Sequence, residues 1–65
     1  MLKDRRELVI QELAKKKKAA AQLYLQAVQN FQGDPGPEYE KLREEISDLD
    51  YDLTIINQLI LEGNP

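Results

Sequence analysis

The chain contains no cysteine, no histidine and no tryptophan. Without cysteine there is no disulfide framework and no thiolate metal site. Without histidine, the commonest metal ligand and the commonest acid–base group near neutral pH are both missing. Hydroxyl nucleophiles are scarce too, with one serine, Ser47, and one threonine, Thr54, and neither has a histidine to activate it. Glu44, Glu45 and Asp48 could be set out as paired carboxylates, but a short helical chain offers no enclosed cleft to raise a pKa. These absences predict a protein that is not an enzyme and carries no cofactor. Long apolar runs are also lacking. The longest are three residues, as at Ala19 to Ala21 and Leu59 to Leu61, which excludes a membrane span and a membrane partner. The first residues, Met1-Leu2-Lys3-Asp4-Arg5-Arg6-Glu7, are too charged to lead a secretory signal. Together with the lack of cysteine, this points to the cytoplasm.

Metal binding finds no support either. Asp48-Leu49-Asp50-Tyr51-Asp52 invites a calcium reading, but the sixth and twelfth places of such a loop hold Leu53 and Leu59. An EF-hand needs Gly and Glu there. A di-iron bundle needs Glu-x-x-His pairs, so no metal ligands are expected.

A chain of 65 residues buries only about 60% of the surface that its unfolded form exposes. Small scaffolds make up the deficit with disulfides, a metal or a partner chain. With the first two gone, oligomerisation remains. The net charge of −3 gives the molecule no general attraction to nucleic acid or anionic lipid.

One cluster of helix breakers stands in the interior, Gly33-Asp34-Pro35-Gly36-Pro37. Gly33 suits the left-handed position that ends a helix. Pro35-Gly36 suits the centre of a type II turn, and Pro37 the first turn of a new helix. Asp4 with Glu7 three residues on resembles a capping box, and Gly63-Asn64-Pro65 supplies a final stop. The expectation is one all-α unit over 1–65, with a helix over about 4–32, a turn at 33–36 and a helix over about 37–62, bounds good to about ±2–4 residues. If the helices lie flush, residue i of the first faces about residue 70 − i of the second.

In the second helix Tyr39, Leu42, Ile46, Leu49, Leu53, Ile56 and Ile60 recur at alternating steps of three and four. That is an unbroken heptad seam suited to knobs-into-holes packing. Leu59, beside Ile55, widens the stripe near its end. The first helix carries two adjacent lines. Ile10, Ala14, Ala21, Tyr24, Val28 and Phe31 form one, with Lys17 in its gap; Val9, Leu13, Ala20, Leu23 and Ala27 form the other, with Lys16 in its gap. A face two strips wide needs more than one partner helix. An antiparallel hairpin leaves one side uncovered, and a second hairpin would complete a four-helix bundle. By the pairing rule, Tyr24, Phe31 and Tyr39 should gather as a small aromatic core at the turn end.

Charge divides unevenly. Up to Gln32 there are seven basic residues against three acidic ones, and from Asp34 onward nine acidic against two basic. The antiparallel pairing sets Lys15 to Lys18 beside Asp52 and Asp48, which favours it over like-with-like contacts. The run Lys15-Lys16-Lys17-Lys18 has a functional reading, a phosphate-binding patch for RNA. Against it stands a plain one, a solvated stretch whose inward lysine extends along its aliphatic stem. Tyr51 falls on the outer position of its heptad and is a candidate contact for another protein.

In helix lengths and turn position over the whole chain, this plan resembles the plasmid Rop regulators, helical hairpins that dimerise into a four-helix bundle. No residue motif carries the likeness, so no RNA-contacting positions transfer. The expected function is a small non-enzymatic hairpin, structural or regulatory, that acts through oligomerisation and protein–protein contact. Its expected partner is itself. The alternatives are an RNA-binding bundle using Lys15 to Lys18 and a subunit of a larger hetero-assembly.

Overall fold

From Leu2 to Gln32 the sequence has neither glycine nor proline and is rich in Leu, Ala, Lys, Glu and Gln, all strong helix formers. The computed structural model, which describes residues 1–63, turns this stretch into helix α1 (Leu2–Gln29) and follows it with α2 (Pro37–Leu61). The helices pack against each other and run antiparallel. The Cα trace measures 49 × 14 × 14 Å with a radius of gyration of 15.0 Å. A compact chain of this length would have a radius near 11 Å. The hairpin is therefore a rod two helices wide, with no interior beyond its seam.

Both ends of α1 differ from the sequence expectation. The helix begins at Leu2, with Met1 as its cap and no side-chain cap bond. Asp4 lies inside the first turn, where its charge meets the helix dipole instead of capping an N–H. At the other end the Phe31 N–H donates to the Val28 carbonyl at 3.1 Å and the Gln32 N–H to the Ala27 carbonyl at 2.8 Å. That pair of bonds is a Schellman closure. It places Phe31, with φ 57°, in the left-handed position assigned above to Gly33.

The connection spans 30–36. The Asp34 carboxylate accepts the Gly36 N–H at 2.9 Å, and Gly36 caps α2 at φ 100°, ψ 177°. A type II turn needs ψ near 0° at that residue, so the expected turn is replaced by a conformation open essentially to glycine alone. Pro37, Glu38 and Glu40 then occupy the first turn of α2. At its far end Gly63 takes φ 85° and donates to the Ile60 carbonyl. Asn64 and Pro65, the rest of the expected stop, lie outside the described residues.

Two contacts fix the register. Lys16 pairs with Glu45, and the Tyr24 and Tyr39 rings lie 6.3 Å apart. The paired numbers add to 61 and 63, so residue i faces about residue 62 − i. The flush rule of 70 − i is therefore off by about two turns, because the last turn of α1 overhangs the start of α2. The lysine run lies level with Glu45, not with Asp48 and Asp52.

The seam of α1 is the line through Val9, Leu13, Ala20 and Ala27, all buried, with Lys16 and Leu23 half-buried between them. Val9, Leu13 and Ile56 form the central cluster, against which Leu2, Ile46, Leu49, Leu53 and Ile60 pack. Among the described residues only these three with Ala20 and Ala27 are buried, and no side chain falls below 2% exposure.

Candidate functional site

The second apolar line of α1 stays outside the hairpin. Ile10 is 42% exposed, Tyr24 and Val28 are each 53% exposed, and Ala14 and Ala21 are exposed beside them. On α2, by contrast, the expected seam is turned inward. Ile56 is buried, and Tyr39, Leu42, Ile46, Leu49, Leu53, Leu59 and Ile60 are half-buried. Two helices in contact cover one strip each, so a face two strips wide keeps half of itself in water.

Phe31 does not join an aromatic core. Its place in the Schellman closure carries the side chain away from the seam and leaves it 97% exposed. The aromatic contact is confined to Tyr24 and Tyr39, tilted at 40°. The Arg43 guanidinium stands 6.0 Å from the Tyr39 ring centroid, at the edge of cation–π range.

Along the same flank lie two adjoining hollows. One, of about 520 Å³, is floored by Ala20 and Ala21 and walled by Tyr24, Leu25, Tyr39 and Ile46, with Lys17 and Arg43 at its rim. The other lies nearer the open end, lined by Ile10, Leu13, Ala14, Lys17 and Leu53, with Asp50 at its edge. Lys17 stands where the two hollows adjoin, with Arg43 in the first and the Asp50 carboxylate in the second. The sequence brings Asp50 forward only within the Asp48–Asp52 calcium reading and Arg43 only in the charge balance, although the two stand seven residues apart on one heptad line.

The lysine run is split by the helix. Lys16 turns into the seam, half-buried, and its ammonium donates to the Glu45 carboxylate. That bond raises Lys16 above the ordinary lysine range and lowers Glu45 below the ordinary carboxylate range, each against some desolvation. Lys15, Lys17 and Lys18 are exposed. At about 100° per residue Lys15 and Lys18, three apart, share one face while Lys17 is turned away from both, so within one hairpin the three make no single basic patch.

The remaining candidates are solvent-facing. Asp48, Asp50 and Asp52 are exposed, and Tyr51 is 68% exposed on the outer side of α2. The Thr54 hydroxyl donates to the Asp50 backbone carbonyl at 3.0 Å. Among the described residues no helix is long and apolar enough to cross a membrane. What the site offers chemically is apolar surface with a definite charge pattern. No known protein family, curated protein sequence or solved structure matches the chain.

Proposed function

We propose that this chain is a non-enzymatic interaction protein that works as a self-associated helical bundle, two hairpins joining as four helices. One observation carries the reading: a complete heptad line of α1, Ile10 to Val28, is apolar at every place but Lys17 and is only partly covered by α2, so that each of its residues stays exposed. An exposed apolar stripe on a chain this small is a liability unless something covers it. Covering it with a second hairpin supplies the core that 65 residues cannot build alone. The charged outer faces, including Tyr51 on α2, are then what the bundle presents to other proteins.

Thermal unfolding followed by helicity over a wide range of protein concentration tests this. Association coupled to folding makes the midpoint rise with concentration. A fully helical chain whose midpoint is independent of concentration contradicts the proposal.

A further inference from the structure

Self-association leaves open which faces meet and in which direction. Resting on that proposed reading, we infer that the second copy docks antiparallel on the flank bearing the two hollows, with Asp50 of each copy seated between Lys17 and Arg43 of the other. Three features of that flank agree on one register.

The first is charge. Arg43 and Asp50 stand seven residues apart on α2, on the same flank. Neither forms an ion pair within the chain among the described residues. A two-fold axis crossing the rod midway between them brings Arg43 opposite Asp50 of the second copy, and Asp50 opposite Arg43, as an isologous interface requires. Lys17 rims the cationic hollow together with Arg43, so each aspartate meets two cations. A two-fold axis along the rod would instead lay α1 of each copy over α2 of the other, bringing Lys17 level with the Arg43 end of the flank and Asp50 level with Glu12.

The second is shape. By the intrachain pairing that Lys16–Glu45 and Tyr24–Tyr39 define, the same axis crosses α1 near residues 15–16. Ile10, exposed here, then meets Ala21 of the second copy and enters the hollow that Ala20 and Ala21 leave open. Lys17 meets Ala14. At the centre of the strip large side chains thus face small ones, while toward its ends Tyr24 meets Glu7 and Val28 meets Lys3.

The third is length. Residues 15–16 are the midpoint of α1 (Leu2–Gln29), so the two copies of α1 overlap from end to end and cover the whole strip. On α2 the same flank is polar at Arg43, Ser47, Asp50 and Thr54, which places the apolar contact on α1 and the charge contact on α2.

Charge reversal followed by sedimentation equilibrium tests the geometry, with helicity as the check that each variant is folded. Arg43→Glu sets two acidic groups together at both symmetric places, and Asp50→Lys sets cations together. Each alone should weaken homodimerisation by about tenfold or more. Mixed in equal amounts, the R43E and D50K variants should restore association. In the mixed pair the introduced glutamate of one chain faces the introduced lysine of the other, and at the second symmetric place the unaltered Asp50 faces the unaltered Arg43. A wild-type chain that stays monomeric overturns both self-association and this docking. A wild-type dimer whose affinity is unchanged by either variant, or not recovered in the mixture, overturns the docking alone.

Discussion

The Lys16 ammonium bonds the Glu45 carboxylate across the helix seam, the only ion pair among the described residues. Lys16 occupies a place in the α1 line where Leu13 and Ala20 supply apolar neighbours, so its charge must leave sideways along its own stem. The pair marks the register of the hairpin and gives it a pH dependence. Glu45 is lowered from 4.5 by the bond to Lys16. Its contribution is present above 4.5 and is lost as pH falls through the lower folded value. Lys16 is raised from 10.5 by the same bond. Its contribution is full below 10.5 and is lost as pH rises through the higher folded value. The melting temperature should therefore fall at both extremes. Glu45→Gln should remove most of the drop on the acid side, while a wild-type profile retained in that variant would deny the pair its role.

Phe31 holds a left-handed backbone at φ 57° and its side chain is almost wholly in water. Left-handed geometry costs an L residue about 1–2 kcal/mol, and glycine is the usual occupant of this closure. Phe31→Gly should raise the unfolding free energy by about 1 kcal/mol in chemical denaturation. A fall would show that the ring is packed on something in solution.

Gly36 has open space around its Cα, yet its φ of 100° with ψ 177° lies where side chains are strained. Gly36→Ala should cost about 1–3 kcal/mol without any clash. Denaturant titration of the variant tests this, and an unchanged midpoint would mean that the connection adopts another path.

Leu13, at 5% exposure, belongs to the central cluster of the hairpin. Leu13→Ala should destabilise by about 2–5 kcal/mol. Ile10→Ser, three residues earlier on the outer line, should weaken association while sparing the helicity that remains at high concentration. The two substitutions thus separate the inner seam from the outer strip. Equal effects of both on association and on helicity would contradict that division.

The faces of these helices were legible in the sequence, while their register was not. The α2 seam from Tyr39 to Ile60 and the two lines of α1 follow from apolar spacing alone, because a helix repeats its faces whatever its neighbour does. Sliding one helix by about two turns returns the same face to the seam, so spacing cannot separate 70 − i from 62 − i. The slide was set by the connection. Closure at Phe31 instead of Gly33 ended α1 early, and the ordinary preference for glycine at that place pointed the other way. The same slide moved the partner of Lys16 to Glu45 and left Phe31 out of the aromatic pair. Arg43 and Asp50 became visible as a pair only when the two hollows placed them on one flank.

Solution mass by sedimentation equilibrium, with helicity recorded over the same concentrations, tests most directly whether a second copy covers the outer line of α1. The predicted result is a helical species of twice the 7.5 kDa chain mass, dissociating on dilution with loss of helix. A helical species that stays at the mass of one chain up to high concentration would contradict it. A single chain of low helicity would assign the cover of that line to a different protein.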